Sequence, residues 1–316
     1  MKFISDFSFT SAPHRPRGDW HPVQLFDAGA RGAVFDPSDL AAMFQDSAGL
    51  ALVTALGQPI SKCLDQSGGG NHASQAVAAA RPQLARYPAS GIRNVATGAG
   101  AMDSVTYWPA SITSGGVTAT KQSSGVDTDG LEYATWSIAG TASADAYLGI
   151  YAYAHSRAPA SVGQTWTCSA FVQLVSGSAP PAGSGLVIGV TGEKAPSTSN
   201  ESATYTTGLT DAETLFIVSK TLSAIGTNQV RANPFLKILS GATVNCVLKV
   251  KALQLNTGAE RGAYQHNLSP YDITEAGQRD VWAICRDGVD DALPATLPDL
   301  GSDATIWYAT ASGGAT

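Results

Sequence analysis

The chain has 316 residues, 33 of them glycine, a formal net charge of −6 and only 14% charged side chains. Its length has room for two domains that each bury a core, and a composition rich in Gly, Ser, Thr and Asp suits strands joined by tight turns better than helices. No basic run beyond His14-Arg15-Pro16-Arg17 could track a phosphate backbone, which argues against nucleic acid, and no stretch approaches the ~20 apolar residues that span a bilayer.

At the start of the chain, Asp6 interrupts the apolar run that a signal peptide requires, so synthesis in a cytoplasm without signal-directed export is expected. Residues 1–22, rich in Pro, Arg, His and Ser, read as an arm that packs on another subunit, or as a loosely ordered terminus. Val23 to Phe35 suits a short strand pair around Gly29 and Gly32. Asp36-Pro37-Ser38 then offers a helix start, with Leu40, Met43 and Phe44 forming one apolar stripe over about two turns. Between Asp65 and His72, three consecutive glycines allow positive φ while Asp65 and Asn71 can bond nearby backbone, which predicts a turn. The Ala-rich residues 76–80 predict a helical turn that Pro82 stops.

From residue 92 to 260 the sequence alternates as half-buried strands do. In 165–174, Trp166, Cys168, Ala170, Val172 and Leu174 share one face, and in 243–250 Val244, Cys246, Leu248 and Val250 do the same. Further strands are expected near 131–138, 147–154, 185–191, 214–220 and 235–239, with separators rich in Ser, Gly, Pro and Asp. About eight antiparallel strands at this spacing suit a jelly-roll β-sandwich. Cys168 and Cys246 fall on the apolar side of their strands, as small buried hydrophobes do. For Cys63 and Cys285 a link between the two ends of the chain is the competing reading, and a reducing compartment argues against it.

Two sets of motifs carry resemblances. Phe35-Asp36-Pro37-Ser38-Asp39-Leu40 and Leu64-Asp65-Gln66-Ser67-Gly68-Gly69-Gly70-Asn71-His72-Ala73 stand near one end of the chain. Tyr271-Asp272-Ile273-Thr274-Glu275-Ala276-Gly277 and Asp287-Gly288-Val289-Asp290-Asp291 stand near the other. Together they resemble the opening and the resumption of the concanavalin-A/laminin-G-like sandwich of structural proteins of tailed phages and prophages. Between them, Val105-Thr106-Tyr107-Trp108, Trp166-Thr167-Cys168-Ser169-Ala170-Phe171-Val172 and Leu253-Gln254-Leu255-Asn256-Thr257-Gly258 resemble the carbohydrate-binding-module-type jelly rolls of phage tail proteins. The resemblances imply an all-β chain in which a jelly-roll β-sandwich (89–270) is inserted into a partial concanavalin/laminin-G-like β-sandwich (23–88 and 271–316), behind the arm 1–22. The returning part is shorter than such a sandwich requires, so the chain is either a shortened version or part of a longer polypeptide. An open strand edge would then invite a partner chain.

Nothing resembles a nucleophile elbow, a P-loop, a zinc-protease helix or a dinucleotide fingerprint. No spacing pairs Glu132, Glu193, Glu201 or Glu213 as two carboxylates across a sugar, so no enzymatic activity is expected. Asp65 with Asn71, and Asp287, Asp290 and Asp291, would offer oxygen ligands to calcium if their turns approach one another; turn chemistry alone is the competing reading. Tyr147, Tyr151 and Tyr153 share one face of an expected strand, opposite Leu148, Ile150, Ala152 and Ala154. With Trp136 as a neighbour they would form a stacking platform for sugar rings; turned inward, they would be core. The resemblances imply a non-enzymatic virion protein at the tail tip, baseplate or fibre, contacting host surface polysaccharide during adsorption beside other virion tail proteins. A homo-oligomer, first of all a trimer, would supply multivalency. A purely architectural virion protein without ligand, such as a tail collar or capsid decoration, is the alternative.

Overall fold

The computed structural model describes residues 22–26, 31–90, 93–195, 198–206, 208–287, 289–297 and 299–300. Apart from Pro22, the expected arm lies outside the described residues. The chain forms two compact units, one built from residues up to Tyr87 and from Asp280 onward, the other from Pro88–Arg279. Residues 271–279, assigned from the sequence to the returning part, group with the second unit, because Asp272–Glu275 closes a hairpin on Gln265–Ser269.

The first unit opens with a 3-10 turn, Pro22–Phe26, where a strand was expected; proline suits a first helical position, having no N–H to leave unpaired. The helix expected after Asp36 is cut to the 3-10 turn Leu40–Ala42. Asp39 caps it by accepting from Ala41 N, but Met43 is already extended and continues into β1 (Met43–Phe44). β1 pairs with β2 (Lys62–Cys63), and β2 with β3 (Ala73–Ser74). Met43, Val53, Ile60, Cys63, Ala73 and Leu84 form the core, with Leu40 packed against it; Phe44, next to Met43 along the strand, is only half-buried and outside this core, so the expected stripe is divided. The 65–72 turn is organised by the Asp65 carboxylate, which accepts N–H groups of Val34, Ser67 and Asn71 at 2.9, 2.9 and 3.0 Å. A 3-10 turn at Ala78–Ala80 precedes β4 (Gln83–Pro88).

The second unit carries β5 (Ser111–Ser114), β6 (Val117–Val126), β7 (Glu132–Thr141), β8 (Ala146–Leu148), β9 (Arg157–Pro159), β10 (Thr165–Gly177) and β11 (Gly185–Lys194). It continues with β12 (Thr198–Thr206), β13 (Thr214–Thr221), β14 (Gln229–Ala232), β15 (Phe235–Ile238), β16 (Thr243–Thr257), β17 (Gln265–Ser269) and β18 (Asp272–Glu275). Finally β19 (Asp280–Cys285) pairs with β4 in the first unit. The chain is all-β, and its larger unit is a jelly-roll sandwich. One sheet runs β13-β10-β16-β7-β6-β5. In the other, β12 flanks one edge of β11, while β15 and β14 follow one another along its opposite edge and pair outward with β8 and β9. Trp136, Ile138, Cys168 and Leu248 of the first sheet meet Leu186, Ile188, Val190 and Leu236 of the second in one core.

Two departures from the expected alternation matter. In β16 the inward face passes from Val244, Cys246, Leu248 and Val250 to Leu253 and Leu255. There Ala252 adopts φ +54° and the β10–β16 register slips between Ser169 and Phe171, a bulge that re-aims every side chain beyond it. The strand expected over 147–154 ends at Leu148, and Tyr153–His155 is a 3-10 turn. All four cysteines are free, so Cys63 and Cys285 are not linked. Among the described residues, no helix is long and apolar enough to cross a membrane.

Candidate functional site

The tyrosine platform is corrected by the end of β8. Tyr147 is 52% exposed, whereas Tyr151 is 1% exposed. The Tyr151 ring centroid lies 5.0 Å from that of Trp108, and its hydroxyl donates to the Thr97 and His155 carbonyls; burial pushes that hydroxyl well above its ordinary value. Once the strand stops at Leu148, residue 151 no longer shares the face of residue 147, and the ring is free to turn into the core. The Tyr153 side chain lies outside the described residues. Trp136 has the inward parity of Ala134 and Ile138 and is fully buried, so it is a core residue and not a ligand contact.

The calcium set is corrected in one respect. Asp287, Asp290 and Asp291 place carboxylate oxygens within 4.8 Å of one another, but Asp65 is not part of that group. In each turn some of these carboxylates, Asp65, Asp287 and Asp291, already serve the backbone. Asp65 accepts from Val34, Ser67 and Asn71, and Asn71 itself donates through Nδ2 to the Gly32 carbonyl at 2.9 Å. Asp287 Oδ1 accepts from Val289, and Asp291 Oδ2 from Asp287 N. This is the chemistry that tight turns require of Asp and Asn.

A different surface assembles on the second jelly-roll sheet. In β11, Leu186, Ile188 and Val190 face the core, which turns Val187, Gly189, Thr191 and Glu193 to the opposite side, where all four are still buried beneath the side chains of their neighbours. Cross-strand register puts Phe235 and Lys237 of β15, Gln229 and Arg231 of β14, Tyr147 of β8 and Arg157 of β9 on that same outward side. Glu193, 1% exposed at its side chain, is the pivot. Its Oε2 accepts from Arg157 Nε at 2.7 Å and Gln229 Nε2 at 3.2 Å, and its Oε1 accepts from Arg231 Nε at 2.5 Å. Arg231 Nη1 donates to Asn233 Oδ1 at 2.8 Å, and Asn233 Nδ2 to Thr191 Oγ1 at 3.3 Å. Burial alone would raise the Glu193 carboxyl; the hydrogen bonds and charges of the two arginines outweigh it and hold the group below the usual carboxylate range. At the other end, the Tyr147 and Phe235 rings stand 5.8 Å apart at 49°.

The six steps along β11 from Val187, opposite Phe235, to Glu193, opposite Gln229, measure ~20 Å at the usual rise of a strand. An aromatic pair thus leads into a track of amide, hydroxyl and guanidinium groups. Their geometry is fixed before any ligand arrives, which lowers the ordering cost of binding. Rings that stack on apolar faces beside a few oriented polar groups are the working parts of a small-molecule or saccharide surface. The outward face of the first sheet differs. There Lys249 and Lys251 are paired with Asp127, Asp129 and Glu213, and the two lysines lie over the Tyr133 and Phe171 rings. In the first unit a cavity of about 260 Å³ between Leu40, Leu56, Leu84, Arg86 and Trp282 falls below the usual size of a ligand pocket, ~300–1,000 Å³.

Sequence reasoning found Tyr147 but missed its neighbours. Glu193 was weighed only as half of a catalytic pair, and Arg157, Arg231, Asn233, Phe235 and Lys237 carried no signal. Outward polar parity in their strands was the one available sign, and it does not say which strands adjoin.

No protein-family model matches the chain, and no curated protein does. Among solved structures, the enzymatically active domain of tailspike protein 4 of bacteriophage CBA120 is similar over 52% of this chain and 21% of its own, at 9% identity and a TM-score of 0.35. A family 16 carbohydrate-binding module is similar over 51% of this chain and 99% of its own, at 12% identity and a TM-score of 0.31. The family 11 carbohydrate-binding module of a cellulosomal cellulase of Clostridium thermocellum is similar over 50% and 91%, at 13% identity and a TM-score of 0.31. The chain spans only about a fifth of the tailspike chain. These scores describe a general likeness among β-sandwiches and nothing finer.

Proposed function

We propose that this chain is a non-enzymatic component of a tailed-phage virion, at the tail tip, baseplate or fibre, that holds host-surface glycans on the outward face of its second jelly-roll sheet. One observation carries the binding half: the exposed Tyr147 packed on the half-buried Phe235, continued by the prearranged Asn233, Arg231, Glu193 and Arg157 track. The virion half is supported by the paired motifs at 35–73 and 271–291 and by the order of jelly-roll motifs between them. In that reading the first unit is a partial concanavalin/laminin-G-like sandwich interrupted by the jelly roll. Contact is non-covalent, and weak single sites gain strength by repetition in a homo-oligomer, a trimer first, on a symmetric particle beside other tail proteins.

The test is saturable binding to whole host cells and to their extracted surface polysaccharide, with Tyr147→Ala and Phe235→Ala beside the wild type. Each variant is expected to bind about tenfold more weakly, ~1.4 kcal/mol, with an unchanged melting profile. Equal binding by all three proteins would remove the face from consideration. Absence of binding by an intact, assembled oligomer would leave the architectural reading in its place.

A further inference from the structure

Charge on the same face goes beyond the general reading. Outward positions of β8, β9, β11, β14 and β15 carry three cations, Arg157, Arg231 and Lys237, against the single carboxylate of Glu193. The chain as a whole has a net charge of −6, so the sign is reversed locally. Glu193 is shared by the two arginines. Lys237 has no carboxylate partner among the described residues. Arg157 engages Glu193 through Nε at 2.7 Å and keeps 27% of its side chain exposed. Beside it lies a hollow of about 150 Å³, too small to enclose a sugar but able to take one anionic group, lined by Arg157, Ala158, Pro159, Ala195, Asn228 and Gln229 with no acidic group in its wall. On the first sheet, by contrast, every outward lysine of β16 meets carboxylates.

We infer that the ligand of this face is an acidic polysaccharide whose anionic groups pair with Lys237 at the aromatic end and with Arg157 at the pocket end. The inference rests on the glycan reading above and adds the chemical class. Register sets the spacing: Lys237 is level with Gly185, and Arg157, through Arg231, with Thr191, six residues or ~20 Å along β11. A nucleic-acid strand presents a phosphate every ~3.4 Å, far denser than two cations at this separation can answer. A polysaccharide with one acid group per repeat of several sugars matches it. The sugar rings between the acid groups fall on the half-buried Phe235 and Asn233.

The experiment uses the full chain against polygalacturonate, hyaluronate, xanthan and polysialate, each beside its carboxyl-reduced form, with dextran and a single-stranded oligonucleotide in parallel. At least one acidic polymer is expected to bind, tenfold or more above its reduced counterpart, and to weaken as salt rises from low to physiological strength. Lys237→Gln and Arg157→Gln are expected to lower that binding at least fivefold each. Lys237 has no ion pair to lose, so its variant keeps the fold even where Arg157→Gln loosens Glu193. Equal binding of acidic and reduced polymers, still dependent on Tyr147, would overturn the acidic class and leave the glycan reading standing. Absence of binding to every acidic polymer would overturn it too, and the glycan reading would fall with it only if dextran and host polysaccharide also failed. Preference for the oligonucleotide, lost in Lys237→Gln, would overturn both.

Discussion

Replacing Glu193 with alanine tests whether the polar track is built as described. The substitution removes the one carboxylate between Arg157 and Arg231, whose side chains are 27% and 11% exposed. Breaking a buried ion pair costs ~3–5 kcal/mol because the remaining charge stays desolvated, while an exposed pair contributes ~0–1 kcal/mol. Arg231 falls near the buried limit and Arg157 closer to the exposed one, so about 3 kcal/mol is expected in all. For a unit of this size that is roughly 6–12 °C in melting temperature. The loss has a pH signature. Since the folded carboxyl lies below the value of about 4.5 it has when unfolded, its stabilisation is present above that value and fades as pH falls through the folded one. The gap between wild type and Glu193→Ala is therefore full at pH 7 and narrows progressively below about 4.5. Calorimetric melting at pH 7, 4.5 and 3 reads it. A gap under about 2 °C at pH 7, or one that widens in acid, would refute a buried Glu193 held by two arginines.

Tyr151→Ala is expected to cost ~3–5 kcal/mol in urea unfolding of the second unit, because the ring packed on Trp108 leaves a cavity; a surface-like loss below about 0.5 kcal/mol would contradict the burial. His266 Nδ1 lies 2.6 Å from Glu132, and that hydrogen bond raises the imidazole above its ordinary value of 6.5. Its stabilisation is present below about 6.5 and lost as pH rises through the raised value, so His266→Gln should flatten that decline; identical slopes would refute the pairing. Asp65→Ala is expected to destabilise the first unit by about 2–3 kcal/mol, since three backbone N–H groups lose their acceptor. An unchanged unfolding profile would mean that the 65–72 turn does not depend on it.

How much of this was legible in the sequence differs from one segment to another. The inward faces of β10 and β16 could be read directly, because Trp166, Cys168, Ala170 and Val172, like Val244, Cys246, Leu248 and Val250, alternate with polar residues over whole strands. The 65–72 turn was equally plain, since Gly68 and Gly70 at φ +82° and +72° occupy backbone that other residues avoid. Shorter patterns misled: Leu40, Met43 and Phe44 fit a helical stripe and also a capped turn entering a strand. Tyr147, Tyr151 and Tyr153 fit a strand that ends at Leu148 in the structure, which frees Tyr151 to pack on Trp108. The candidate site was out of reach for a stronger reason. Arg157, Glu193 and Arg231 are separated by 36 and 38 residues and meet only through the pairing of β9, β14 and β11. Alternation is a relation between neighbours along the chain, so the sequence by itself determined strands, turns and which side chains face inward. Adjacency between strands is set by hydrogen-bond register and by the packing of the whole sandwich, and so only the tertiary structure decided that an aromatic pair, a buried carboxylate and two arginines share one surface.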